Sequence, residues 1–319
     1  MQVLILAAVF IVTAHVAWAE TVYVSNEQDN TVSVIDGAAL KLVDTIPVGR
    51  RPRGIRLSAD RQKLYVAVGD DNRIDVVDLK AGKLEGSLPS GEDPELFVLH
   101  PDGRRLFVAN ENDNLVSVLD IPERRIVTEV EVGVEPEGMG VSPDGRFVVN
   151  TSETTSMLHV IDAGTLELVD NVLVGTRPRV AQVSADSRQI WVSSELRGTV
   201  EVFDVETREP LATIGFEVPG VPHELIQAVG IQLTQDGSRA YVALGPANRV
   251  AEIDAKTFKV LRTYLVGQRV WHIALSPDGK RLYTANGNSS DVSVIDLESQ
   301  AVVKTIGVGR SPWGLVVAP

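Results

Sequence analysis

The chain has no cysteine. That absence removes disulfides, thiolate metal centres, cysteine nucleophiles and c-type haem attachment, all of which need the thiol. Positive charge is also scarce: 30 Lys and Arg stand against 43 Asp and Glu, for a formal net charge of −13. Nucleic acids and anionic membranes bind basic patches that displace their counterions, so neither is an expected partner, whereas a basic protein or a cation is. Aromatic residues make up only 5% of the chain, and no segment shows an amphipathic helical period. Zinc-type histidine spacing, a phosphate-cradling glycine loop opening a helix and a nucleophile elbow are all absent from the sequence.

One continuous apolar stretch is present, Val3 to Val12, followed by Ala17-Trp18-Ala19. It is short for a bilayer span of about 20 residues, and the small-residue pattern predicts a secretory signal peptide over residues 1–19 with cleavage before Glu20. With no cysteine to carry a lipid anchor, the expected product is soluble and free of the membrane after cleavage, periplasmic in a Gram-negative host.

What fills the rest of the chain is a repeat. An aspartate closes a short apolar run at Asp36, Asp78, Asp120, Asp162, Asp204, Asp254 and Asp296, at steps of 42 residues except for 50 between Asp204 and Asp254. Each unit holds four short runs rich in Val, Ile, Leu and Tyr, separated by Gly, Asn, Asp and Pro, which is a strand pattern. Four strands per repeat at this period predict a seven-bladed β-propeller over residues 20–319, all-β and one domain. The last run, Trp313 to Ala318, has no strands after it, while the first unit lacks that strand type. The C-terminal strand is therefore expected to complete the first blade and close the ring. The repeated aspartates, and those in turns such as Ser142-Pro143-Asp144-Gly145, read as acceptors for backbone N–H groups.

Candidate functional positions are those that vary between otherwise equal units. The residue opening each innermost strand reads Arg53, Glu95, Glu137, Arg179, Val229, Trp271 and Trp313 around the ring; two residues earlier stand Arg51, Asp93, Glu135, Arg177, Gln227, Arg269 and Ser311. Loops after the second strands add Glu111, Glu153 and Glu195 at the same end of the channel, and the extra eight residues of the fifth unit, between Glu217 and Ala228, add His223 and Glu224. These rows predict a mouth charged on one side and aromatic on the other. It reads either as inter-blade ion pairs, Arg53 with Glu95 and Glu137 with Arg179, or as a ligand site whose adjacent carboxylates draw a divalent cation or a basic side chain. On the second reading, replacing Glu95 and Glu137 by Gln should leave stability unchanged or slightly higher. His272 follows the apolar pattern and is expected inside a blade, while His100 and His159 belong to no motif.

Tyr23-Val24-Ser25-Asn26, Leu64-Tyr65-Val66-Ala67, Phe107-Val108-Ala109-Asn110 and Tyr283-Thr284-Ala285-Asn286, each before a Val-x-Val-Ile-Asp type run, resemble the YVTN family of seven-bladed propellers. Arg50-Arg51-Pro52-Arg53-Gly54, Asn150-Thr151-Ser152-Glu153-Thr154-Thr155 and Val266-Gly267-Gln268-Arg269-Val270-Trp271 are similar to its exported subfamily associated with PQQ-dependent alcohol catabolism. One departure is Val221-Pro222-His223-Glu224, with the histidine after the proline instead of before it. The resemblance implies a non-catalytic binding or accessory protein, with a quinoprotein dehydrogenase or another basic periplasmic protein as partner and no covalently bound cofactor. It supplies no catalytic residues, and the cysteine pair usual in quinoprotein dehydrogenases is missing. The alternative is a lactonase-type hydrolase with Glu137, Glu153 or His223 as acid or base, by analogy with other seven-bladed propellers.

Overall fold

A computed structural model describes residues 20–319, so the expected signal peptide lies outside the described residues. Period-2 apolar runs with both faces covered become strands, and twenty-eight of them form seven antiparallel four-stranded sheets arranged as a ring. Blade 1 combines Pro312–Ala318 with Thr21–Asn26, Thr31–Asp36 and Lys41–Pro47, in that order from the axis outwards. Closure by the C-terminal strand is thus what the structure shows, with Val22, Val24, Leu315 and Val317 in one buried cluster. Blades 2 to 7 begin at Pro52, Pro94, Pro136, Pro178, Ile231 and Val270. Among the described residues no helix is long and apolar enough to cross a membrane.

The turns behave as their chemistry requires. Asp36, Asp162, Asp204 and Asp254 each accept two backbone N–H groups just downstream, and Asp78, Asp120 and Asp296 accept one. In the turns between innermost and second strands, at this same end of the blades, away from the mouth, Asp60, Asp186, Asp236 and Asp278 accept from the Ser or Thr hydroxyl two residues upstream at 2.6 Å. These carboxylates are scaffold, since local acceptors of this kind compete well for turn N–H groups.

Two devices direct side chains to the mouth. In six blades the ladder between the innermost and second strands slips near its start, as between Pro52 and Ile55 or Pro136 and Met139, so the residues there bulge out of register. Just before the strand, Arg51, Asp93, Glu135, Arg177, Arg269 and Ser311 all adopt φ between 52° and 59°. That left-handed conformation is costly for a residue with a side chain, and hydrogen bonds hold it in place. Asn30, Asn72, Asn114 and Asn248 accept the N–H of Arg51, Asp93, Glu135 and Arg269. The carbonyls of Asp93, Glu135 and Arg177 in turn accept the N–H of Glu111, Glu153 and Glu195. Neighbouring innermost strands meet so closely that a Cβ on Gly54 would lie 2.3 Å from the Glu95 carbonyl oxygen, which only glycine permits.

Candidate functional site

The two rows and the second-strand loops converge at one end of the channel, and there the structure builds two linked ion-pair clusters. In the first, Glu95 is fully buried and both its oxygens are taken, by Arg51 Nη2 at 2.7 Å and Arg53 Nη1 at 2.8 Å. Arg51 also reaches Asp93 and, at 3.3 Å, Asp70, and Arg53 reaches Glu27 at 3.1 Å. In the second, buried Arg179 joins Glu137 at 3.0 Å and Glu153, with Glu195 at 3.7 Å. Arg177 bridges Glu153 at 2.8 Å and Glu195 at 3.1 Å, and Arg269 binds Glu195 at 2.7 Å and Gln227 at 2.6 Å.

The aromatic side is not separate from the charged one. Arg269 and Arg179 lie 4.0 and 5.6 Å from the centre of the Trp271 ring, and Arg53 lies 5.4 Å from that of Trp313. The indole rings are platforms for the guanidinium groups. Both expected pairs, Arg53–Glu95 and Glu137–Arg179, are present, and Glu95, Glu137, Glu153, Arg179, Glu195 and Trp313 are all buried. The axial part of the mouth is therefore a plug. This changes the expected effect of replacing Glu95 and Glu137: each is buried and paired with arginine, so neutralising both removes ion pairs from Arg51, Arg53 and buried Arg179 and is expected to lower stability.

The two clusters differ in charge balance. Arg177, Arg179 and Arg269 meet Glu137, Glu153 and Glu195, three of each sign. On the side of blades 1 to 3, Arg51 and Arg53 meet Glu27, Asp70, Asp93 and Glu95, with Glu111 adjoining, two against five. Burial first, then repulsion from Glu95 and a hydrogen bond that protonated Glu111 donates to it, push Glu111 up to about 7. Burial likewise raises Glu137 well above the usual carboxylate range and Glu153 to a lesser degree, with Arg179 opposing. Asp93, Glu95 and Glu111 each bring one oxygen within 4.8 Å of the others, which is a cation-sized cluster. A cation there competes with the two guanidinium groups on Glu95.

A pH dependence follows. A carboxyl whose folded pKa is raised favours the folded state when protonated, so its contribution is fully present below the ordinary 4.5 and is lost as pH rises through about 7. Glu111→Gln is expected to flatten the dependence of stability on pH between about pH 5 and 8 and to raise stability at the upper end, by less than about 1 kcal/mol because the group is partly solvated. Melting curves of both proteins across that range check this; an unchanged slope contradicts it.

Other expected site residues lie elsewhere. Glu135 turns outward to the Thr154 hydroxyl. His223 and Glu224 sit in an exposed single turn, His223–Leu225, above the mouth-side hairpin at Gly198, and no side-chain partner of either is found among the described residues. Their loop is pinned by buried Phe216, Val218, Ile226 and Ala228, so it is a packed insertion. His272 is not satisfied inside a blade: it lines the channel against Trp313, ring centres 4.2 Å apart, and burial with nearby Arg179, Arg56 and Arg53 pushes it down to about 3. Sequence reasoning missed Glu27, which occupies the slot of Glu111 and Glu153 in the first unit, and Arg56 in the channel.

Residues 94–183 match the family model of the cytochrome D1 heme domain, and residues 197–318 match that of the YNCE-like β-propeller. No curated protein matches the chain. Among solved structures, hydrazine synthase of Kuenenia stuttgartiensis is 20% identical with TM-score 0.79, covering 86% of this chain and 92% of its own. A functionally unknown protein of Desulfotomaculum acetoxidans DSM 771 is 13% identical with TM-score 0.80 over 93% and 98%. A Lactobacillus plantarum protein is 15% identical with TM-score 0.81 over 94% and 99%. At these identities the likeness is one of fold, and the chain is a seven-bladed β-propeller. The segment matching a heme domain offers no free histidine. His100 Nε2 lies 2.9 Å from the Gly145 carbonyl, and His159 Nε2 accepts the Gly133 N–H at 2.9 Å with Nδ1 facing Asn171. Those residues do not fit a haem.

Proposed function

We propose that the protein is a non-catalytic binding propeller, exported and acting beside PQQ-dependent alcohol oxidation, which receives a basic surface of a partner such as a quinoprotein dehydrogenase on blades 1 to 3. The observation that carries this reading is the surplus of five carboxylates over two guanidinium groups around Glu95, beside a plug that holds them rigid. A fixed surplus of one sign steers an oppositely charged partner without side-chain rearrangement. The exported setting and the alcohol-oxidation context are supported by the leader pattern and by the resemblance of Arg50–Gly54 and Asn150–Thr155.

A hydrolase reading draws support from one observation, Glu111 titrating near neutrality, where a general base works best. The test separates the two. Native mass spectrometry of the protein with a purified PQQ-dependent alcohol dehydrogenase, with and without calcium, should show a complex that weakens as salt rises. Parallel incubation with a γ-lactone should show no turnover. No complex at low salt overturns the binding reading, and lactone turnover abolished by Glu111→Gln puts the hydrolase in its place.

A further inference from the structure

Beneath the plug the innermost strands enclose a cavity of about 380 Å³. Its lining begins one residue below the Arg53 row and runs to Leu99, Leu275 and Val317, next to the turns of the opposite face. The buried residues of the plug close the mouth side, so the way in is from the turn face. Most of the wall is apolar. Arg56, Gln182, Gln232 and His272 are the polar exceptions.

Arg56 differs from each arginine of the two mouth clusters. Those are all matched to carboxylates, whereas Arg56 has no ion pair or side-chain hydrogen bond among the described residues, and burial alone acts on it, downwards from its ordinary value. A guanidinium does not give up its proton within a protein's working range, so a full positive charge stands, half-buried, on the wall of the cavity without a counter-charge. Such a group is costly unless a partner is supplied. Across the ring, the Gln182 side chain accepts the Leu233 N–H at 3.1 Å, which leaves its NH₂ as a donor, and Gln232 has no side-chain partner among the described residues. His272, held neutral, adds no competing charge. The cavity thus has one cation, amide donors, apolar walls and no carboxylate in a chain of net charge −13.

We infer that this cavity is a binding site for a small organic anion, a short-chain carboxylate whose head group pairs with Arg56 and whose hydrocarbon body packs on Leu96, Val98 and Val180. A planar guanidinium matches a carboxylate with two parallel hydrogen bonds, and a volume at the lower end of ligand pockets suits a molecule of a few carbons. The site does not rest on the partner-binding role of the mouth and stands or falls separately from it.

Calorimetric titration with butanoate, butan-1-ol and inorganic phosphate tests the assignment. Butanoate should bind at one site with Kd of about 1 mM or tighter, butan-1-ol and phosphate at least about tenfold more weakly, since each lacks one half of the recognition. Arg56→Met should fold, with a higher melting temperature because the stranded charge is gone, and should lose butanoate binding by about tenfold or more. Arg56→Lys keeps the charge without the fork and should fall between the two, which retains a readout if the Met variant does not fold. Absence of butanoate binding, equal binding of butan-1-ol or phosphate, or wild-type affinity in the Arg56 variant that folds each overturns the proposal.

Discussion

Deleting Trp313 to Pro319 is expected to abolish cooperative folding. The strand Pro312–Ala318 is the innermost strand of blade 1 and pairs with Thr21–Asn26, so its loss opens the ring and exposes a strand edge. Trp313, Leu315 and Val317 are buried, and large apolar side chains contribute about 1.5–3 kcal/mol each. Against a total of about 5–15 kcal/mol for a folded domain, their removal together with the pairings of Leu315, Val316, Val317 and Ala318 to the second strand leaves little margin. Thermal and urea melts followed by circular dichroism check this. A truncated chain with the full-length transition would mean that the ring closes by other contacts.

Arg179→Met is the single substitution expected to cost most, about 3–5 kcal/mol, the range seen when one partner of a buried ion pair is removed. The guanidinium touches Glu137 and Glu153 and lies close to Glu195, all of them buried, and its own pKa is held up by those carboxylates against the opposing effect of burial. Without it three carboxylates share the remaining Arg177 and Arg269. Because protonating them relieves the repulsion, the variant should be least stable at high pH and recover as pH falls. Adding Glu137→Gln to Arg179→Met should restore part of the loss, since the carboxyl most displaced by burial is then neutral. A double variant no more stable than the single one would show that the loss comes from packing over Trp271 and not from charge.

The architecture was legible because a blade is a unit that cannot bury its faces alone, so the same apolar slots and turn aspartates must recur at every step. The location of the charged end followed from topology, since second strands finish where innermost strands begin. The state of the charges did not. Whether Glu95 is a solvated carboxylate or a buried one depends on where the Arg51 and Arg53 side chains point, and that direction is set by a left-handed residue and a bulge with no strong sequence mark. The asparagines that hold those left-handed residues, such as Asn30 and Asn114, look in the sequence like ordinary hairpin residues. Arg56 within Ile55-Arg56-Leu57 reads as the solvent side of an alternating strand, yet on an innermost strand that side is the channel. The same ambiguity misplaced His272.

The most direct test of the proposed role compares two double variants in one binding titration against the alcohol dehydrogenase. Asp70→Asn with Glu92→Gln removes two exposed carboxylates, one at the rim of the first cluster and one next to it, while Asp60→Asn with Asp186→Asn removes the same charge from turns on the opposite face. Neither pair includes a buried residue of the plug, so both should fold and melt close to the parent. The mouth variant is expected to bind the partner about tenfold more weakly, at about 0.5–1 kcal/mol for each rim charge, and the turn variant to bind as the parent does. Equal affinity of the two, or a loss confined to the turn variant, would contradict the placement of the partner on blades 1 to 3.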